Sequence, residues 1–426
     1  MNRVLLCFIV LIAVSGISLA DDNLPDANSL KTLDDYLVYA SINNPALKAK
    51  FEQWKMALEQ IPQAKALPDP TFTYGYYIQS VETRVGPQRQ KFGIMQVFPW
   101  LGKIEARTDV ASAKAKAARQ EFEAEKLKLF EQVKKEFYEF LYLKEAIDIA
   151  QQNLDLIKHF EQVALQKYVT STGTHPDIIR AQIESAKYNE ILVSLKELKR
   201  PQIAALNTIL NRPGDAGLDW PQKPVFVNMN IDTGQLITLL REKNPQLAQL
   251  GWEIEAARSN VELAKKKFYP DIGVGVDWIQ TDNAITSGVK DSGKDAVVLM
   301  FSMNLPLWRD NYKAAERQAK ANVRKATQQK INAENTLMAQ TVQVLYDIQE
   351  SQRKIDLNGN ILIPKAQQLV NVSESAYKAG TIDFLSLIDS QRMLLKYNLD
   401  YQRYITNNQQ KLAQLEMLTA TDLSVK

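Results

Sequence analysis

Between Lys103 and Tyr168 the chain contains neither proline nor glycine. A single helix over this stretch would be about 100 Å long at about 1.5 Å per residue. Ordinary globular helices are far shorter, which leaves a coiled coil, a membrane span or a helical repeat. Lys126, Lys128, Glu131, Lys134, Lys135, Glu136 and Glu139 exclude the span. Every seventh residue is instead apolar, at Val133, Phe140, Ile147 and Leu154, with Phe130 and Phe137 beside them. Such a beat keeps one seam against a neighbouring helix. A second stretch, Tyr312 to Tyr377, predicts a seam through Thr341, Ile348, Ile355, Leu362, Leu369 and Ala376. Gly359 and Pro364 interrupt it, and the missing donor of Pro364 predicts a kink.

Residues 1–20 read as a secretory signal: Arg3, the apolar run Val4 to Val14, and a small-x-small site at Ser18-Leu19-Ala20. Its removal takes away Cys7, the one cysteine of the 426-residue chain, and with it disulfides, thiolate metal sites and a lipid anchor on cysteine. A formal net charge of +3 with no basic block gives no reason to expect nucleic acid.

The order of elements occurs twice. Thr32 to Leu67 predicts a helix broken at Asn44-Pro45; Phe72, Tyr74, Tyr76 and Ile78 alternate as a strand does. Residues 81–90 read as a loop and 91–99 as a return strand, before the long helix. A turn at Thr170 to Pro176 follows, then a helix from Asp177, whose carboxylate suits free amides at a helix start, to about Asn211. In the second half, Asn244-Pro245-Gln246-Leu247 answers Asn44-Pro45-Ala46-Leu47, and Ile272, Val274, Val276 and Trp278 alternate again. A last helix spans about 383–419. The expected organisation is a first repeat over 21–212 (strands about 70–80 and 91–99, long helix about 103–168), a linker over 213–232, a second repeat over 233–420 (strands about 271–280 and 296–305, long helix about 309–377) and a tail over 421–426.

Strands of this length cross a bilayer when tilted, and their alternation suits lipid on one side and water on the other. Trp100, Trp308, Trp278, Tyr74 and Tyr76 are candidates for the membrane interface. In lipid a sheet has to close, and known barrels start at about eight strands. Four strands per chain therefore require several chains, with the helices extending from the shared barrel as a tube.

The duplication and the order of elements resemble the TolC family of outer-membrane efflux channels, over about residues 30–420. Gln96-Val97-Phe98-Pro99-Trp100-Leu101-Gly102-Lys103 and Leu67-Pro68-Asp69-Pro70 are similar to its heavy-metal branch, the CzcC and CusC type. The resemblance implies a mainly helical fold with a small antiparallel β part: a homotrimeric twelve-stranded outer-membrane barrel continued by a twelve-helix periplasmic barrel. The expected partners are outer-membrane lipid, a periplasmic adaptor and an inner-membrane pump. It also implies a periplasmic gate narrowed by aspartates; Asp177 and Asp389 match by position, and Asp383 stands near Ser386, where the family often has another. The turns at Gly173, Thr174, Gly380 and Thr381 are candidate adaptor-docking tips.

The residues point to no enzyme, cofactor or metal centre: the only histidines are His159 and His175, and no phosphate loop or nucleophile elbow occurs. Two other readings stay open, a structural coiled-coil protein of the periplasm or surface and the adaptor subunit of such a pump. The cargo, heavy-metal cations among the candidates, is not legible in the chain.

Overall fold

The computed structural model describes residues 30–224 and 233–423. The expected signal (1–20), the end of the linker (225–232) and residues 424–426 lie outside the described residues. Two compact units interleave along the chain. Among the described residues, one consists of 30–49, 123–224, 233–245 and 334–423, the other of Lys50–Phe122 and Gln246–Ala333. Each repeat lends residues to both.

The helices are α1 (Leu33–Asn43), α2 (Pro45–Lys65), α3 (Lys103–Val169), α4 (His175–Glu197), α5 (Lys199–Leu210), α6 (Thr233–Lys243), α7 (Pro245–Lys266), α8 (Arg309–Leu357), α9 (Ile363–Ala379) and α10 (Phe384–Thr419). Local chemistry sets many of their ends. Thr32 and Asp35 form a capping box at the start of α1. Asn44 ends α1 and accepts the Leu47 amide at the start of α2, while its amide group donates to Ile209 O at 2.9 Å. Asn244 takes the matching place in the second half and donates to Leu418 O at 2.8 Å. The same asparagine thus anchors a helix junction to the end of another helix in both repeats. Pro201 breaks what the sequence predicts as one helix from Asp177 to Asn211: its missing amide lies just beyond Leu198, the junction between α4 and α5.

The first long helix runs unbroken for 67 residues, and Val133, Phe137, Phe140 and Leu154 are buried along it. The second does not. A π-helical turn, Asn358–Leu362, separates α8 from α9, and the amide of Ile363 reaches back to Asn358 O. Pro364 follows directly, so the wider turn falls where proline would otherwise disturb an α-helical ladder. The turn inserts one residue into the heptad. Buried positions run Val344, Ser351, Asn358, then Ala366 and Ser373. That corrects the expected seam: of its six members only Thr341 is buried, and Leu369 is exposed. The seam followed the large aliphatics, whereas small and polar residues occupy the buried line here. Asn408 of α10 holds that line, donating to Ser351 Oγ at 2.9 Å and Ile348 O at 3.2 Å.

The second unit carries an antiparallel sheet in the order β1-β3-β4-β5, with β2 paired to β3 off this path. The strands are β1 (Thr71–Tyr76), β2 (Glu82–Thr83), β3 (Gly86–Phe98), β4 (Ile272–Thr281) and β5 (Ala296–Met303). The expected loop 81–90 is therefore partly strand, and the first strand stops short of residue 80. Contacts distant in sequence cause this. Asp282 N donates to Pro87 O at 2.9 Å, Gly293 N to Val85 O at 2.8 Å, and Arg89 pairs with Asp282 at 2.6 Å. A polar composition cannot reveal such partners. At Gly86, with φ +132, a side chain would run into Asp282 O.

Candidate functional site

The register sorts the sheet into two unlike faces. Phe72, Ile94, Val276 and Leu299 lie side by side, as do Tyr74, Phe92, Trp278 and Val297. Phe72 is 67% exposed, Leu299 61% and Phe301 72%, far more apolar surface than water-facing sheets leave bare. On the opposite face Thr73, Gly93, Asp277 and Val298 share one row. There Lys91 pairs with Asp277, which is 3% exposed, and a side chain at Gly93 would strike the Asp277 carboxylate. One face is thus apolar and aromatic, while the other is lined by small residues and an ion pair. That is the division a strand shows between lipid and a wet lumen. The outer strands β1 and β5 have no partner on their free sides among the described residues.

The aromatic candidates separate. Tyr74, Tyr76 and Trp278 share the apolar face; the Tyr74 hydroxyl donates to Gln90 at 3.1 Å and the Trp278 indole to Asp295 at 3.0 Å. Trp308 is 81% exposed beyond β5. Trp100 lies just past the end of β3. Its ring stacks on Tyr269 at 5.3 Å, its amide donates to Asp271 at 2.9 Å, and Lys103 pairs with the same Asp271 at 2.7 Å. Gly102, with φ +82, makes the bend. The Pro-Trp-Leu-Gly-Lys segment is therefore a strand-to-helix corner fastened to the beginning of β4.

The aspartate candidates lie in the first unit. Here α3, α4, α9 and α10 share a core that includes Leu154, Phe160, Ile178, Val370, Phe384 and Leu387. The joining turns are tight. In the first, Thr172 and Gly173 amides both donate to Lys167 O at 2.9 Å, and a side chain at Gly173 would collide with Lys167. In the second, Gly380 adopts φ +80 as the C-cap of α9, and the Thr381 amide donates to Ala376 O at 3.0 Å.

Asp177 is not the cap of its helix. Thr174 holds that position, without a side-chain cap bond, and Asp177 lies within the first turn. Its carboxylate accepts from the Tyr377 hydroxyl at 3.4 Å. Burial and the nearby Asp177 charge push the Tyr377 hydroxyl up to about 12. Asp383 is the cap of α10: it accepts from Ser386 N at 2.9 Å and Ser386 Oγ at 2.6 Å, bonds that hold its carboxyl below the ordinary range. Ser386 therefore satisfies Asp383 rather than standing in for an aspartate. Asp389 is exposed and pairs with Arg392 at 3.0 Å.

Arg392 also pairs with Glu184 of α4 at 2.6 Å, and Lys187 reaches the same carboxylate at 2.9 Å. Burial alone would raise the Glu184 carboxyl, but the bonds from Arg392 and Lys187 outweigh it and hold the carboxyl low. Asn153 and Gln391 join α3 to α10 by a buried amide pair. Nothing local in the sequence marks Glu184, Arg392 or Lys167, because their partners lie far along the chain. Tyr377 ends the second long stretch, yet its bond to Asp177 depends on the fold. Among the described residues no group of three or more His, Cys, Asp or Glu is placed to hold a metal ion. No helix among them is long and apolar enough to cross a membrane.

Paired strands with one bare apolar face, continued through fastened corners into very long helices, define an outer-membrane channel subunit. The chain belongs to the outer membrane efflux protein family, whose model matches residues 37–212 and 236–421. It is similar to the cobalt-zinc-cadmium resistance protein CzcC of Cupriavidus metallidurans, 20% identical over 384 residues, covering 87% of this chain and 85% of that protein. Among solved structures it resembles VceC of Vibrio cholerae, with TM-score 0.76, 18% identity, and 91% and 95% of the two chains covered. It also resembles CusC, with TM-score 0.72, 12% identity, and 95% and 94% covered. The protein is an efflux channel of the outer membrane, the exit duct of a tripartite pump, with its helical part in the periplasm.

Proposed function

We propose that three copies of this chain form one duct and that the duct itself does no chemistry. The carrying observation is the sheet with a bare apolar face and two free edges, β1 and β5. In lipid each unpaired backbone group costs several kcal/mol, so β5 of one copy pairs with β1 of the next. Trimeric closure joins twelve strands, a number within the range of known barrels, and gives the Lys91–Asp277 face a wet lumen. The test is extraction of outer-membrane fractions by detergent, followed by native mass measurement. A compact monomer would dismiss the reading.

In this reading residues 1–20 direct export, and the repeats 21–212 and 233–420 are joined by the linker 213–232. The joined ends of α3–α4 and α9–α10 form the periplasmic entrance, held closed by Asp177–Tyr377 and Glu184–Arg392–Asp389, with Asp383 fixing the start of α10. The turns at Gly173, Thr174, Gly380 and Thr381 meet a periplasmic adaptor, which couples the duct to an inner-membrane pump. Opening separates the two hairpins of each chain. Heavy-metal cations are the favoured cargo, by similarity to CzcC. Growth of a deletion strain on a panel of metal salts and drugs distinguishes that cargo from organic ones.

A further inference from the structure

We infer that Lys167 is a latch of the closed entrance: its ammonium caps the C-terminus of α9 from the neighbouring hairpin. The inference rests on the entrance reading above. The last carbonyls of any helix lack intrahelical partners and carry the negative end of its dipole. In α9 the cap at Gly380 satisfies part of this need, through Gly380 N to Tyr377 O at 3.0 Å and Thr381 N to Ala376 O at 3.0 Å. Lys167 supplies more. It lies two residues from the end of α3, donates to Tyr377 O, and lies 3.4 Å from Lys378 O. The same ammonium is 4.6 Å from the centre of the Tyr377 ring. One cation therefore meets a carbonyl, a helix terminus and an aromatic face, all on the opposing hairpin.

Several other polar links between these hairpins join side chain to side chain. Tyr377 meets Asp177, His159 meets Glu374 at 2.9 Å, and Arg392 meets Glu184. Either partner in such a link can be altered by substitution. Lys167 binds main chain, so its partner persists in every variant and the strength of the contact depends on residue 167. The first turn fixes the position of this residue. Lys167 O receives the amides of both Thr172 and Gly173, which ties the base of the lysine to the turn. Tyr377 is thereby held from two sides, its hydroxyl by Asp177 and its carbonyl and ring by Lys167. Separating the hairpins breaks both together and leaves the α9 carbonyls to water.

The test uses the full chain, reconstituted in planar bilayers, with R392A as the reference for the entrance reading. K167M is expected to raise the fraction of time spent open roughly tenfold, the scale of one charge-assisted hydrogen bond. K167R keeps a cation over the ring and the carbonyls and is expected to stay near the parent protein. In a C7S background, a short bismaleimide joining K167C to K378C is expected to close the channel, and the unlinked pair to leave it open. Unchanged gating by K167M, with R392A opening the channel, would overturn the latch and leave the entrance reading standing. Unchanged gating in both would overturn the two together. Opening by K167R as large as by K167M would also overturn the latch. Should K167M fail to assemble, the cysteine pair decides: equal conductance with and without the cross-link overturns it.

Discussion

Two ion pairs inside the first compact unit use the same chemistry with opposite results. At the entrance, Glu184 of α4 meets Arg392 and Lys187, and its carboxyl is held low. Near the junction anchored by Asn244, Glu416 of α10 meets Lys134 of α3 at 2.5 Å, and its carboxyl is raised. Burial raises both. The two carboxylates are equally covered; the difference lies in their cations, since Glu184 has two hydrogen-bonded cations that are largely open to water and Glu416 one that is mostly covered, with Asp422 adding repulsion. A carboxylate with two cationic donors is a fastener that acid undoes. One with a single, mostly covered donor is a fastener that acid improves.

The largest expected effect breaks the enclosed pair. K134M leaves Glu416 buried without its cation and should cost about 3–5 kcal/mol, the scale of stripping one partner from a buried pair. Denaturant unfolding of the detergent-solubilised protein checks this, and adding E416Q should restore most of the loss. At the rim R392A should cost less, about 1–3 kcal/mol, because Arg392 is itself 43% exposed. Its readout is higher single-channel conductance. An R392A loss as large as that of K134M would erase the distinction between the two sites.

Acidity sharpens the same comparison. The Glu184 contribution is complete above the unfolded carboxyl's value and is lost as pH falls through the lowered folded value. The Glu416 contribution has the other sign. It is complete below the unfolded value and is lost as pH rises through the raised folded value. Between neutral and mildly acid pH, hydrogen-exchange protection relative to the intrinsic rate should therefore rise around Glu416. In stronger acid that protection should fall around Glu184. Protection that rises or falls at both sites together would refute the assignment. The smallest effects belong to the twin junctions: N44A and N244A should each cost about 1 kcal/mol, as lost helix caps do, and by similar amounts. Thermal unfolding of the two variants side by side measures this.

The sequence revealed what depends on near neighbours. The unbroken α3 follows from a run without proline or glycine, and its seam from the apolar beat through Val133 and Phe140. The alternation of Phe72, Tyr74 and Tyr76 placed the apolar face of β1. What stayed hidden depends on distant partners. The start of β3 at Gly86 is set by residues 282–293, and the task of Trp100 by Tyr269 and Asp271. Lys167 looked like any surface lysine until α9 was placed beside it. The contacts of the candidate aspartates were equally hidden: Asp177 meets a tyrosine hydroxyl, and Asp383 caps α10. The second seam was misassigned because large aliphatic residues outweigh Ser351, Asn358 and Ser373 on any hydrophobic scale.

The π-helical turn before Pro364 acts like a slipped tooth between two gears. Above it, side chains mesh with α10 in one phase; below it, from Ala366 onward, they mesh in a phase displaced by one residue. A single deletion there would rotate the whole entrance hairpin by about a hundred degrees relative to the rest of its helix. The junction thus sets how the lower hairpin is aimed, without any residue of the entrance being changed.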